Sequence, residues 1–114
     1  MLVQAETRTA LANLEEIAAV DGVDGVFIGP SDLAADFGHL GNFQAPEVWN
    51  AIMDAGARIR KAGKAAGFLS ARDEDIRRTM AGGFNFIACG SDAGILARQS
   101  ETIAKTYRDL AAKV

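Results

Sequence analysis

Val23-Asp24-Gly25-Val26-Phe27-Ile28-Gly29-Pro30-Ser31-Asp32-Leu33 is the stretch on which the fold turns. Its short β-branched and aromatic run reads as a buried strand over residues 23–29. Pro30 cannot donate to a strand ladder and marks where that strand stops. Asp32 follows by a Gly-Pro-Ser turn, which carries a carboxylate just past the strand's carboxyl end.

The same alternation of a short apolar run with a longer helical period extends in both directions. Upstream lies a strand over residues 2–6. A helix over residues 9–20 follows, with Ala10, Leu14, Ile17 and Ala18 repeating at three and four residues on one buried face. Downstream, residues 31–45 read as a loop with Gly38 and Gly41 as its flexible points, longer than the usual ~2–6 residues of a βα connection. Pro46 suits a first helical position, and Val48, Trp49, Ile52, Ala55 and Ile59 carry an apolar face to Lys61 before Gly63 closes the helix.

A third strand spans Ala65–Leu69. Ser70 with Asp73 three residues on resembles a helix start, Ile76 and Met80 are expected to face inward, and Gly82-Gly83 ends that helix. A fourth strand over residues 84–89 leads to a Ser91-Asp92 cap. The final helix carries Ile95, Leu96, Ile103, Tyr107 and Leu110 on its apolar side.

Four consecutive βα units make an α/β chain with a parallel sheet. They are half of a closed (β/α)8 TIM barrel, which takes eight strands and ~250 residues. Such a sheet cannot close alone and leaves unpaired edges that native proteins seldom expose. The expectation is therefore pairing, with a missing N-terminal half or with another copy as a homo-oligomer. The competing reading is a complete small open sheet with helices on both faces.

A chain of 114 residues buries one core, so residues 1–114 are read as a single domain. With 12 basic and 15 acidic residues mixed along it, there is no basic stripe to neutralise a phosphate backbone, which argues against nucleic acid as a partner. No apolar run approaches the ~20 residues that span a bilayer, so no membrane association is expected. The start lacks the layout of a signal peptide, and Cys89 is the sole cysteine, a combination that fits a reduced cytoplasmic setting. Met1 falls directly before a strand, which is read as either an internal start or an artificial boundary rather than a natural domain edge.

In parallel βα proteins, functional groups gather at the carboxyl ends of strands. Glu6 and Asp32 both fall there. Two carboxylates with few other ligands suit Mg²⁺ or Mn²⁺, which keep waters and leave positions for substrate, and zinc fits less well without a nearby His or Cys. The spacing equally allows Glu6 to cap the following helix and Asp32 to be an N-cap.

The segments Gln4-Ala5-Glu6-Thr7, residues 22–33 and Gly38-His39-Leu40-Gly41-Asn42 resemble consecutive motifs of the HpcH/HpaI aldolase family. Residues 63–69 and Ala88-Cys89-Gly90-Ser91-Asp92 are also similar, so the likeness covers nearly the entire chain, as a C-terminal half-barrel. The resemblance implies a class II aldolase that reversibly cleaves 4-hydroxy-2-oxo acids to pyruvate and an aldehyde. It places a divalent metal, Mg²⁺ or Mn²⁺ with Co²⁺ as another choice, on Glu6 and Asp32, where pyruvate would chelate it and the enolate would be stabilised. By the same resemblance Gln4 hydrogen-bonds water or substrate at the metal. The Gly29 to Asp32 turn offers the N–H groups of Ser31 and Asp32 to the substrate carboxylate, and Leu69 forms an apolar wall. Read from the residues alone, Gln4 is equally a strand polar residue and Leu69 equally strand core.

His39, the sole histidine, matches a loop position of the family and is read as structural or rim rather than as the base. The family's catalytic histidine and arginine lie on early strands not found in this sequence, so no catalytic residue is assigned and binding is expected to survive better than turnover. The expected substrate is 2-dehydro-3-deoxyglucarate, which the Gly38 to Asn42 motif most resembles, or 4-hydroxy-2-oxoheptanedioate. Two other readings are a non-catalytic half-barrel that assembles with itself and a citrate-lyase-like enzyme acting on acyl-CoA. The resemblance also implies a hexamer in which the last helix packs on a neighbouring subunit.

Overall fold

The computed structural model describes residues 1–113. Four strands, β1 (Leu2–Ala5), β2 (Gly25–Ile28), β3 (Ala65–Leu69) and β4 (Phe86–Ala88), form one sheet in the order β1-β2-β3-β4. Every pair is parallel, in a register that sets Gln4 opposite Phe27, Phe27 opposite Gly67, and Gly67 opposite Phe86. Parallel neighbours in chain order require crossovers of one hand, so the connecting helices gather on one face.

That face holds the core. Ala5, Val26, Ile28, Ala66 and Phe68 point into it and meet Leu14 and Ala18 of α2 (Leu14–Ala19) and Val48, Trp49, Ile52, Ala55 and Ile59 of α4 (Pro46–Lys61). Phe68 sits edge-on to Trp49 and Phe84, with ring centroids 5.8 Å away in both pairs. The alternate residues of the strands point the other way, and there Leu2, Leu69 and Phe86 are 43%, 39% and 45% exposed. Helices cover one face only, so the competing reading of a complete open sheet with helices on both sides is set aside, and the uncovered apolar face suits the inner wall of a barrel. On the open face Phe27 and Phe86 meet edge to face at 6.2 Å across Gly67, where any side chain would collide with Phe27.

Several local expectations change. The first helix breaks at Asn13 into α1 (Arg8–Ala12) and α2, because Asn13 leaves helical geometry with φ −100° and ψ 17°. Its polar side chain favours non-helical backbone. The expected loop over residues 31–45 begins with a seven-residue helix, α3 (Pro30–Asp36), so Pro30 both stops β2 and opens α3, where its missing N–H costs nothing. Ser70 does not cap α5 (Asp73–Ala81); its hydroxyl instead donates to the Asp75 carboxylate at 2.9 Å. Ile76 and Met80 do not face inward together, since Met80 is 59% exposed while Asp75 and Thr79 are buried. Gln44 and Ser70 satisfy the Asp75 carboxylate, and the Thr79 hydroxyl donates to main-chain carbonyls, which makes this polar pair tolerable inside.

Ser91 caps α6 (Asp92–Ala111) as expected, accepting from the Gly94 N–H. No residue of α6 is buried, and Ile95, Leu96, Ile103, Tyr107 and Leu110 are all exposed. The radius of gyration, 17.6 Å, exceeds the ~13 Å of a compact chain near this length because α6 stands away from the sheet. No described helix is long and apolar enough to cross a membrane.

Candidate metal and oxo-acid site

The carboxyl ends of β1, β2 and β3 bring the sequence-derived residues to one rim. Gln4 and Glu6 lie two residues apart at the end of β1. Their side chains meet, Gln4 Nε2 donating to Glu6 Oε2 at 2.6 Å. Gln4 thus orients a carboxylate with one amide hydrogen and keeps its second hydrogen and its carbonyl oxygen for other partners.

Across the rim, Gly29 directly follows β2 and is buried beneath this pair. A Cβ on Gly29 would stand 2.5 Å from Glu6 Oε2 and 2.9 Å from Gln4 Nε2. Its φ of −83° is open to any residue, so the requirement for glycine is one of space.

Gly29 is also the N-cap of α3, and the first main-chain bond of that turn runs from the Leu33 N–H to the Gly29 carbonyl at 3.0 Å. The N–H groups of Ser31 and Asp32 therefore have no acceptor within the helix. Asp32 is in the first turn and Gly29 occupies the cap, so Asp32 is not an N-cap. Nor does Glu6 cap the helix that follows it: Thr7 caps α1, its hydroxyl accepting from the Ala10 N–H at 3.1 Å. With both capping readings removed, neither carboxylate has a helix-capping task.

Gln4, Phe27, Gly29, Pro30, Ser31, Asp32 and Leu69 line an open pocket of about 170 Å³. Glu6 borders it from behind, through its contacts with Gln4 and Gly29. Phe27 and Pro30 were not expected as walls, and the signal was present: Phe27 is the one side chain beyond glycine in β2 on the face opposite to Val26 and Ile28. His39 lies outside this pocket and pairs with Glu47 in the first turn of α4. That pair ties the 37–45 loop to α4, in keeping with a structural or rim position.

Just beyond the rim, the Arg8 main-chain N–H and guanidinium both donate to Asp36 Oδ2, at 2.8 and 3.0 Å. The main-chain bond first, and the guanidinium second, hold the Asp36 carboxyl below the usual carboxylate range.

The donor set fits a hard divalent cation. Among the described residues no three His, Cys, Asp or Glu side chains come together. A cation held by Glu6 and Asp32 would keep open positions for water and substrate oxygens, which suits Mg²⁺ and Mn²⁺.

Parallel βα units in the order β1-β2-β3-β4 that carry their strand ends to one rim have the layout of a (β/α)8 barrel segment. This chain belongs to the HpcH/HpaI aldolase/citrate lyase family, whose pattern matches residues 1–99. It is 54% identical over 110 residues to a hydroxypyruvate/pyruvate aldolase of Roseovarius nubinhibens, covering 96% of this chain and 43% of that protein. It is likewise 54% identical over 107 residues to a 4-hydroxy-2-oxo-heptane-1,7-dioate aldolase of Klebsiella pneumoniae, covering 94% and 40%. A crystal structure of a family member from Burkholderia cenocepacia superposes with a TM-score of 0.86 at 34% identity, over 94% of this chain and 42% of that one. The chain thus spans about two fifths of the length of the curated relatives it matches.

Proposed function

We propose that this chain carries the metal and pyruvate half of a class II aldolase that cleaves and forms 4-hydroxy-2-oxo acids. The observation that carries it is the Gln4–Glu6 hydrogen bond packed on Gly29, at the rim from which Asp32 and two unpaired N–H groups also project. Glu6 and Asp32 would hold a divalent ion, which when bound would supply Lewis-acid chemistry to the oxo acid.

The chain's own residues do the rest of the binding. The Ser31 and Asp32 N–H groups receive the oxo acid's carboxylate. Gln4 fixes Glu6 in place and offers its remaining amide atoms to the substrate or to water. Phe27, Pro30 and Leu69 would offer an apolar wall to the methyl end of pyruvate. No described residue lining the pocket is a histidine, lysine or arginine. Removal of the 4-hydroxyl proton and polarisation of the carbonyl therefore call for groups from outside these residues, and the open sheet face is the surface on which a second half-barrel would supply them.

The citrate-lyase alternative in the family's name is less well supported, because relatives at 54% identity carry aldolase names. Those two names differ in substrate, so the aldehyde partner is not fixed by the segment they share with this chain.

Calorimetric titration of Mg²⁺ or Mn²⁺ with pyruvate into the wild-type chain and Glu6→Ala, beside a retro-aldol assay, tests the proposal. The expected result is binding that depends on Glu6, with turnover low until a complementary half is added. Binding that turns over no substrate under any pairing favours the non-catalytic, self-assembling module.

A further inference from the structure

α3 presents two carboxylates one turn apart, Asp32 toward the pocket and Asp36 toward the segment that follows Glu6. Residues four apart on a helix share a face, so both reach toward the same β1–α1 connection. We infer that the Arg8–Asp36 pair is a positioning strut that sets the separation of Glu6 and Asp32, and with it the grip of the site on a divalent cation. This rests on the metal site proposed above and adds residues that neither the sequence motifs nor the pocket lining include.

A helix of seven residues has little stability of its own, so its orientation is fixed by what holds its ends. At its start, Gly29 is packed under Gln4 and Glu6. At its end, a single oxygen, Asp36 Oδ2, accepts from both the Arg8 main-chain N–H at 2.8 Å and Arg8 Nε at 3.0 Å. The same guanidinium carbon lies 5.6 Å from the ring centroid of Phe37, the C-cap of α3. Arg8 is two residues from Glu6, and Asp36 is four from Asp32. Main chain, ion pair and ring stacking therefore all join the two segments that bear the proposed ligands, across 28 residues of sequence. An exposed ion pair contributes little to global stability, which separates this role from a merely structural one.

Mn²⁺ affinity of the 114-residue chain, read by electron paramagnetic resonance with pyruvate present, tests the strut, with metal-free melting in chelator as the second reading. Asp36→Asn and Arg8→Met are each expected to weaken Mn²⁺ binding about five- to tenfold, ~1–1.4 kcal/mol converted by RT. The metal-free melting temperature should move little. Combined, the two substitutions should cost no more than either alone. Arg8→Lys retains the main-chain bond and the charge and should recover part of the affinity. Asp109→Asn, which breaks the Lys105–Asp109 pair on α6, should leave affinity unchanged. Wild-type affinity in Asp36→Asn and Arg8→Met overturns the strut alone. Loss of affinity only in proportion to a lowered metal-free melting temperature overturns it as well. Absence of Mn²⁺ binding in the wild-type chain overturns the metal site and the strut with it.

Discussion

A methyl group on Gly29 would stand 2.5 Å from Oε2 of Glu6. The carboxylate at the end of β1 is thus seated directly on the bare backbone at the end of β2. Gly29→Ala must push Glu6 and its partner Gln4 aside, and because φ at residue 29 is −83° the effect is steric only. Mn²⁺ affinity in Gly29→Ala should fall at least about tenfold, ~1.4 kcal/mol or more. Isothermal calorimetry against wild type checks this; equal affinity would mean that Glu6 does not depend on this seat.

Gly67 lies opposite Phe27 in the sheet, and an added Cβ would approach the Phe27 ring to 2.5 Å. Overpacking of this kind costs ~1–3 kcal/mol. Urea denaturation of Gly67→Ala should show that loss, and Phe27→Leu in the same background should restore part of it by vacating the space.

Glu15 on α2 accepts from Arg58 on α4 through both oxygens, at 2.6 and 2.5 Å. That hydrogen bonding, chiefly, lowers the Glu15 carboxyl from 4.5 to about 2. A folded value below the unfolded one means that the stabilisation is complete above 4.5 and is lost as pH falls toward 2. Melting temperatures of wild type and Glu15→Gln should differ most above that window and converge at its acid end. A constant difference across the window would assign the effect to packing instead.

Leu2, Leu69 and Phe86 share the uncovered face of the sheet. Apolar side chains in that setting favour association, with another half-barrel as the natural cover. Phe86→Asp should sediment closer to a monomer than the wild-type chain does. An Asp109→Asn control, remote on α6, should sediment as wild type.

The parallel βα order was legible in the sequence because the helical and strand periods alternate cleanly, and Pro30, Gly63 and Gly82-Gly83 punctuate them. From that order the rim follows, since parallel strands carry their ends to one side, and Gln4, Gly29, Ser31, Asp32 and Leu69 do line one pocket there. The resemblance supplied the roles that spacing left open between capping and metal binding. α3 was hidden because Gly-Pro-Ser-Asp reads as a turn as readily as a helix start, and the apolar Leu33 and Ala34 that bury it are too few to show a period. The inward face of α5 was misread because hydrogen bonds from Gln44 and Ser70, remote in sequence from one another, decide that Asp75 is buried. The Arg8–Asp36 contact is equally invisible to local spacing, since only the pairing of β1 with β2 brings those segments together.

Site-resolved NMR of the chain during addition of Mn²⁺ with pyruvate examines most directly whether Glu6 and Asp32 share one ion. Paramagnetic broadening should erase the amide signals of residues 4–6 and 29–32 first and together, and Asp32→Asn should protect both groups at once. Broadening that begins elsewhere, such as at the acidic start of α5, or that reaches only one of the two segments, would contradict a shared metal site.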